Sequence, residues 1–309
     1  MTGRIVVGTD GSEGSYQALL WALREARIHH SPVHAVITWQ GPATYSRDVY
    51  FPVAQDGIAE SAQAQLAALL ERATAEFAGP EIVPVVLEGE PSRILCEQTE
   101  ESDLLVVGSR GHGSLTGLLL GSVSSRCARH SRAPVVIVPA SWRRDQVHSV
   151  SGPIVAGVDG SPGSVSALRW ALEEAAIRHG SVRAVMVWRG VAPGDDDMAL
   201  EWATLPSLAH RDQITAGQAG THLAAVVSEA VGDRQVSVEQ VVVEGDPAKS
   251  LCRQAAGAEM LVVGSRGHGA FAGLLLGSVS SRCAHHSPVP VAIIPAQEIR
   301  SEGAAPGPG

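Results

Sequence analysis

Short apolar runs alternate with longer stretches of helical periodicity along the chain. The run RIVVGTD at 4–10 is rich in β-branched residues and predicts a buried strand. Apolar residues then recur at helical spacing from 18 to 26, which predicts an amphipathic helix. VHAVITW, IVPVVLEG, LLVVGS and APVVIVPA predict four more strands with helices between them. Strands that alternate with helices predict βαβ units and a mostly parallel sheet.

The same pattern occurs twice. IVVGTDGSEGSYQALLWALREA in the first half is matched by IVAGVDGSPGSVSALRWALEEA in the second. Equivalent positions lie 149 residues apart at Asp10 and Asp159, and 156 apart at Cys96 and Cys252. The second copy therefore has seven extra residues between 188 and 244. Such a repeat predicts two copies of one fold.

The repeat and the chain length together predict the domain organisation. A chain of 309 residues fits two domains of about 150 residues each. We expect domains at 1–140 and 153–296, joined by a polar linker at 141–152. The Gly/Pro-rich segment 297–309 is expected to be disordered.

One acidic residue marks the start of the third helix in each copy. Glu90 and Asp246 stand where an N-cap is expected, and Pro91 and Pro247 follow at the first helical position. The equivalent pairs predict equivalent helix starts.

Composition excludes several classes of function. The net charge of −9, from 32 acidic and 23 basic residues, disfavours nonspecific binding to nucleic acid or to an anionic membrane. The apolar run near the N-terminus is too short for a signal peptide, and no stretch approaches the ~18 apolar residues of a membrane span. We expect a cytoplasmic protein without membrane or nucleic-acid partners.

The cysteines, an acidic run and two tryptophans are expected to have structural roles and not functional ones. The four cysteines form no CxxC and lie in apolar helical patterns, so we expect small buried hydrophobes rather than metal or redox sites. The acidic run GDDD at 194–197 is absent from the first copy and is interpreted as a solvated loop. We expect no metal site. Trp21 and Trp170 are expected to pack in the core or at an interface.

A glycine-rich loop carries the strongest chemical signal. Gly108, Gly111, Gly121 and Ser122 follow the spacing G-x2-G-x9-G-S directly after a predicted strand. Glycine allows a ligand to approach the backbone, and the N–H groups of a helix that starts at GSVSSR favour a phosphate. Arg110 could add a charged fork. The second copy repeats these residues: Gly264, Arg266, Gly267, Gly277 and Ser278.

The glycine loop has three other interpretations. The glycines could serve only a tight turn, although their repetition favours a phosphate site. A Walker A loop requires a lysine that both segments lack, and GTDGSEGS and GVDGSPGS do not match the dinucleotide fingerprint GxGxxG. His112 and His268 lie in the loop and are expected to be solvated.

Asp10 and Asp159 each end a first strand. A carboxylate there can accept hydrogen bonds from ribose hydroxyls. The alternative is an N-cap for the helix that begins near Ser12 or Ser161. Both interpretations stay open from the sequence alone.

These motifs resemble the universal stress protein family in its tandem-domain form. The resemblance covers almost all of both halves, and G-x2-G-x9-G-[ST] is typical of the ATP-binding branch. It implies an α/β fold in each half: a doubly wound, open, Rossmann-like parallel sheet of five strands in the order 3-2-1-4-5. It also implies pairing of PVVIVP with PVAIIP into an intramolecular pseudo-dimer, and leaves a homodimer open.

The family pattern also implies individual roles. Asp10 and Asp159 would hold the ribose, and backbone near Thr38 and Val187 would meet adenine. Gly8 and Gly157 would allow close approach of the ligand. The remaining implied or neighbouring binding residues lie in or beside the glycine loops: Gly108, Arg110, Gly111, Gly113, Gly121, Ser122, Val123, Ser124, Gly264, Arg266, Gly267, Gly269, Gly277, Ser278, Val279 and Ser280.

The resulting functional expectation is a regulatory ATP-binding protein with one nucleotide per domain, ATP being bound with or without Mg²⁺. It would act in stress or dormancy adaptation through a regulatory protein partner that the sequence does not name. A weak ATPase or adenylating enzyme and a nucleotide-free interaction module are the alternatives. No repeated set of base, metal-holding carboxylates and lysine supports catalysis, so we expect slow hydrolysis at most.

Overall fold

The computed structural model describes most of both repeats. The described residues are 3–41, 55–111, 120–142, 152–188, 216–267 and 276–296. His112, Gly113, His268, Gly269, the acidic run at 194–197 and the tail at 297–309 lie outside them, as does most of the expected linker.

Strands and helices alternate in the first half, as the apolar pattern predicts. The elements are β1 (Ile5–Thr9), α1 (Glu13–His29), β2 (Val33–Trp39), α2 (Gln55–Glu76), β3 (Ile82–Glu88), α3 (Pro91–Glu97), β4 (Leu104–Gly108), α4 (Ser122–His130) and β5 (Val135–Val138).

The second half repeats this order. Its elements are β6 (Ile154–Gly157), α5 (Pro162–Ile177), β7 (Ser181–Trp188), α6 (Ala216–Val231), β8 (Ser237–Glu244), α7 (Pro247–Gln254), β9 (Met260–Gly264), α8 (Ser278–His286) and β10 (Val291–Ile294).

The strands form one continuous sheet of ten. Their order is β3-β2-β1-β4-β5-β10-β9-β6-β7-β8, so each half has the expected 3-2-1-4-5 order with parallel neighbours. The two halves meet at β5 and β10, which pair antiparallel with Ala292 opposite Val136. The two expected five-stranded sheets are therefore joined edge to edge, which removes one exposed edge from each.

Helices cover both faces of this sheet, as in doubly wound folds. One hydrophobic core lies beneath α1, α2, α5 and α6, and the other lies beneath α3, α4, α7 and α8. Both cores run through both halves. Trp21 and Trp170 are buried in the first core, which confirms their predicted packing role.

Side-chain caps define several helix starts. The carboxylate of Glu90 accepts a hydrogen bond from the N–H of Arg93, and that of Asp246 accepts one from Lys249, so the predicted N-caps are confirmed. The caps of α1 and α5 are Ser12 and Ser161, whose hydroxyls accept from the third residue along. The alternative that Asp10 and Asp159 cap these helices is therefore wrong, because the serines take that position.

A buried cluster of charged side chains joins the halves where α1 faces the end of α5. Arg178 bonds the carboxylates of both Glu25 and Glu174, and His29 Nε2 lies 3.1 Å from Glu174 Oε2. Glu25, His29 and Glu174 bring three metal-type donor atoms within 4.8 Å of one another. Arg178 already supplies positive charge to both carboxylates, so we interpret this group as an ion-pair cluster.

None of the helices in the described part of the chain combines the length and the apolar character that crossing a membrane requires.

Candidate functional site

Three segments of the first half meet at the carboxyl edge of the sheet. They are the residues after β1, the residues after β4 and the start of α4. β1 and β4 are adjacent parallel strands, and the N–H of Gly121 donates to the carbonyl of Ser109, 2.8 Å away. In the second half Gly277 donates to Ser265 at 2.7 Å. The strand order reverses here, which is where open α/β sheets bind ligands.

The carboxylate of Asp10 lies at the centre of this meeting point. Its Oδ1 accepts hydrogen bonds from the N–H of Ser12 at 3.0 Å and from the Ser12 hydroxyl at 2.5 Å. Its Oδ2 faces Gly111 so closely that a methyl group on that glycine would overlap it. The structure thus brings Asp10 and Gly111, 101 residues apart in the chain, into one site.

The second half builds the same arrangement. Asp159 Oδ1 accepts from the N–H of Ser161 at 2.9 Å, and Asp159 Oδ2 faces Gly267. Because the repeat preserves each of these contacts, both carboxylates have the same orientation toward the glycine loop.

The start of α4 supplies the positive end of a helix. Gly121 occupies the N-cap position with extended backbone, and no side chain of the described residues caps the first turn. Free N–H groups and the helix dipole favour an anion at such an end. Gly277 begins α8 in the same way. Ser122 and Ser278, the first helical residues, are exposed.

Ser124 and Ser280, the third residues of α4 and α8, have a different role from Ser122 and Ser278. The hydroxyl of Ser124 donates to the carbonyl of Gly121 at 3.0 Å, and that of Ser280 donates to Gly264 at 2.6 Å. Both side chains are buried. The Ser124 hydroxyl therefore stabilises the start of α4, and the Ser280 hydroxyl ties α8 to the end of β9. Any ligand contact from these residues would use the backbone.

Packing alone explains several of the glycines. A side chain at Gly8 would meet the Leu95 side chain of α3, 2.7 Å away. A side chain at Gly108 would meet the carbonyl oxygen of Gly14 at 2.7 Å, because β4 and the start of α1 touch through their backbones. Gly157 and Gly264 have the same surroundings in the second half. These four glycines are required by the fold itself, whatever the site binds.

The adenine-side residues lie on the neighbouring strand. Thr9 pairs with Ile37, so Thr38 follows directly beside Asp10 along the parallel register. Val187 holds the corresponding position on β7. Both side chains are half-buried at the same edge of the sheet as the glycine loop.

The remaining predicted residues fall into two groups. Val123 and Val279 pack their side chains against the second core, so only their N–H groups face the edge. Arg110 and Arg266 are exposed beside the glycine loop.

Some residues of the site were missed from the sequence. The hydroxyl of Ser109 accepts from the N–H of Ala140 at 3.2 Å, and Ser265 accepts from Ala296 at 3.1 Å, which ties the end of β4 or β9 to the last strand. These serines occur in both copies of VVGSRGHG, so the repeat contained the signal.

A second missed feature comes from α2 and α6. Gln65 on α2 donates to the carbonyl of Asp10 at 3.3 Å and covers Gly11. His222 occupies the equivalent position on α6 and covers Gly160. Both residues lie on the exposed side of amphipathic helices, so no pattern in the sequence predicted that they lie at the site.

The fold and the site together define a tandem protein of the open, doubly wound α/β class with two equivalent sites. Because β5 and β10 pair antiparallel, each site lies at the carboxyl ends of its own half's strands, on opposite edges of the common sheet. A family model for the universal stress protein family matches residues 1–139 and 151–295. The chain belongs to the universal stress protein family, with two domains in tandem.

Relatives support this assignment over the whole length. The chain is 32% identical to a universal stress protein of Mycobacterium tuberculosis, and the match covers 94% of this chain and 95% of the relative. It is 32% identical to one of Mycolicibacterium smegmatis, covering 94% and 96%. A solved universal stress protein from Archaeoglobus fulgidus superposes with a TM-score of 0.66 at 21% identity, covering 96% and 97%, and supports the fold alone.

Proposed function

We propose that the chain binds ATP, one molecule in each half, and acts in the cytoplasm as a regulatory protein in stress or dormancy adaptation. In this proposal it works through a protein partner and not through catalysis. The observation that carries the proposal is the repeated meeting of a strand-end carboxylate, a glycine loop and an uncapped helix start.

The carboxylates are suited to the ribose. Asp10 has one oxygen engaged by Ser12 and the other directed to the loop at Gly111. A carboxylate at the end of a first strand can accept hydrogen bonds from ribose hydroxyls. Thr38 and Val187 lie beside the two carboxylates, where their backbone would meet the adenine ring.

The helix starts are suited to the phosphates. Gly121 and Gly277 place backbone N–H groups, with no side-chain cap among the described residues, each at the carboxyl edge of its own half. The exposed Ser122 and Ser278 stand at these starts, and Arg110 and Arg266 stand beside them. A helix start of this kind stabilises negative charge. Mg²⁺ would accompany the phosphates, and calorimetry with and without EDTA tests this part.

One observation favours a different candidate, a nucleotide-free interaction module. Leu95 above Gly8 and the backbone contact between Gly14 and Gly108 explain conserved spacing within the repeat without a ligand. Gly111 and Gly121 discriminate better between the two candidates, because they border the carboxylate and the helix start.

The first experiment measures nucleotide directly. Purified protein is denatured, and the released nucleotide is identified by chromatography; nucleotide-free protein is then titrated with ATP in a calorimeter. We expect one ATP per half. Absence of both co-purified nucleotide and measurable binding would leave the interaction module as the better explanation.

Variants then assign binding to the site. Asp10→Asn keeps an acceptor for Ser12 but removes the charge, and we expect about tenfold to 100-fold weaker binding in the first half, as for a lost hydrogen bond to a charged group. Gly111→Ala should have a similar effect because the new methyl displaces the carboxylate. Gly180→Ala is the control, since a methyl there has no neighbour closer than 3.9 Å.

A further inference from the structure

Each half places one half-buried cysteine against one fully buried cysteine on the face opposite to α1 and α5. Cys96 lies on α3 and Cys127 on α4. Cys252 on α7 and Cys283 on α8 repeat the pair. The expectation that all four are buried hydrophobes holds only for Cys127 and Cys283, which have no exposed surface.

The two cysteines of each pair pack in the same core, on helices that contact each other. In the first half the side-chain interaction between the two thiols raises the pKa of Cys127, with burial adding to the effect. It lowers the pKa of Cys96, although burial, Glu90 and Glu97 oppose this. The pair in the second half behaves in the same way, and there the charge of Arg282 also favours the Cys252 thiolate. The more accessible sulfur of each pair is thus the one that ionises, and a thiolate is the reactive form of cysteine.

A surface cavity opens onto the accessible sulfur in each half. The cavity at Cys96 has a volume of about 710 Å³ and is bordered by three arginines, Arg93, Arg126 and Arg132, and by the carboxylates of Glu90 and Glu97. The cavity at Cys252 has a volume of about 540 Å³ and is bordered by Lys249, Arg253 and Arg282 and by the carboxylate of Asp246. Cations outnumber carboxylates at both cavities, and a partly exposed cysteine in cationic surroundings is typical of reactive thiols. Both cavities have ample room for a small oxidant.

The cations at these cavities are held in place. Arg126 donates to Glu90 Oε1 at 3.0 Å, and Arg282 donates to Asp246 Oδ2 at 2.8 Å. Each carboxylate is also the N-cap of the helix that carries the accessible cysteine. The two helices of each pair are therefore tied together beside the cysteines.

We propose that Cys96 with Cys127, and Cys252 with Cys283, are two dithiol–disulfide couples that are oxidised by hydroperoxides. The Cys96 thiolate attacks one oxygen of ROOH, the O–O bond breaks, and RO⁻ leaves and takes up the proton released by Cys96. The Cys127 sulfur then attacks the resulting sulfenic acid, and the hydroxyl leaves as water with the Cys127 proton. Two thiols and ROOH thus give one disulfide, ROH and water, and the thiols supply both electrons.

The test uses the full chain, reduced and freed of reductant, with hydrogen peroxide as the probe. After treatment, remaining thiols are alkylated, and intact mass and linked peptides are measured under non-reducing conditions. We expect two intramolecular disulfides, Cys96–Cys127 and Cys252–Cys283, with loss of four hydrogens from the four-cysteine chain. Thioredoxin-type reductant should restore four alkylatable thiols.

The matched variant is Cys127→Ser, which leaves the second pair as an internal reference. Without the second thiol the sulfenic acid on Cys96 persists, so we expect at least about tenfold more labelling of Cys96 by a sulfenic-acid reagent such as dimedone than in the wild type. Cys96→Ser should leave Cys127 unmodified, since its sulfur is buried. Circular dichroism verifies that the variants fold.

Three results would overturn the proposal, and two of them need no variant. One is a wild-type chain that keeps all four thiols alkylatable after peroxide treatment. Another is oxidation that yields only intermolecular or crossed disulfides. The third is Cys96 labelling that is equal in the wild type and in Cys127→Ser. Nucleotide binding enters none of these readouts, so the proposal stands or falls independently of the proposed function.

Discussion

The two halves share a fold and a site, but they differ in the charges at their common boundary. In the first half Arg4 Nε bonds Asp103 at 3.1 Å, within one half. The second half has Pro153 where the first has Arg4, and its acid, Glu259, bonds Arg24 of the first half instead. The equivalent acids Asp103 and Glu259 thus differ in their partners. Asp103 pairs with an arginine of its own half, and Glu259 pairs with an arginine of the other half.

The boundary is therefore only partly self-complementary. In a symmetric dimer every contact across the axis occurs twice, with the two residues exchanged. The contact of Arg178 with Glu25 does occur twice, because the equivalent contact of His29 with Glu174 is also present. The contact of Arg24 with Glu259 does not, because the equivalent of Arg24 is Glu173, which is exposed and pairs with Arg234 within the second half. Fusion of two copies in one chain allows each to change separately, so the interface gains contacts that a dimer of identical chains would have to duplicate.

The sites differ less than the boundary. Asp10 with Gly111 and Asp159 with Gly267 have the same relation in both halves. The residue that reaches over from the long helix differs, Gln65 in one half and His222 in the other. The strand residue beside the carboxylate also differs, Thr38 in one half and Val187 in the other. The comparison suggests that the sites were held constant while the boundary diverged.

Removal of Arg178 is expected to have the largest effect. Arg178→Met leaves the carboxylates of Glu25 and Glu174 buried without the guanidinium that joins them, and loss of one partner from a buried ion pair typically costs about 3–5 kcal/mol. The free energy of unfolding is measured in urea. Arg169→Met on α5 is the control, because its pair with Glu229 is exposed and should contribute less than about 1 kcal/mol.

Equal effects of Arg178→Met and Arg169→Met would show that the boundary is not held by this cluster. A double variant, Glu25→Gln with Arg178→Met, should recover part of the lost stability, since it removes one of the uncompensated carboxylates.

An intermediate effect is expected from acid. Burial raises the pKa of Glu174, but the His29 hydrogen bond and the Arg178 charge outweigh it and hold the pKa below its usual value of 4.5. A carboxyl with a lowered folded-state pKa stabilises the protein above its unfolded-state pKa, and this stability is lost as the pH falls through the folded-state pKa. Between about pH 5 and about pH 3 the wild type should lose more unfolding free energy than Glu174→Gln.

Glu173→Gln provides the matched comparison for this titration. Glu173 is the next residue on the same helix but is exposed, so its variant should follow the wild-type acid curve. Parallel curves for the wild type and Glu174→Gln would contradict the assigned role of Glu174.

The smallest effect is expected at the sites and rests on the proposed ATP binding. Gln65 donates to the carbonyl of Asp10 in the first half, and His222 covers Gly160 in the second. Gln65→Ala and His222→Ala should each weaken ATP binding in their own half by about two- to fivefold, as for the loss of one polar contact.

Measuring one half at a time sharpens this test. Calorimetry on an Asp159→Ala background measures the first half, and calorimetry on an Asp10→Ala background measures the second. Gln65→Ala should leave the second half unchanged, and His222→Ala should leave the first half unchanged. An equal effect of either variant on both halves would exclude a contact within its own site as the cause.

The sequence by itself determined the repeat, the order of strands and helices, and the carboxylate caps at Glu90 and Asp246. Apolar periodicity and capping act within a few residues, so a linear pattern contains them. The spacing of Gly111 and Gly121 also marked the loop as a candidate site, because the motif occurs twice after equivalent strands. That the Asp10 carboxylate faces Gly111 was seen only in the structure.

Only the tertiary structure decided what fills the space around these residues. Leu95 explains Gly8, α3 and α4 bring Cys96 to Cys127, and the antiparallel pairing of β5 with β10 makes one sheet of two and buries Arg178 between Glu25 and Glu174. These contacts join residues far apart in the chain. Their formation depends on which faces of distant elements pack together, and local patterns do not contain that information.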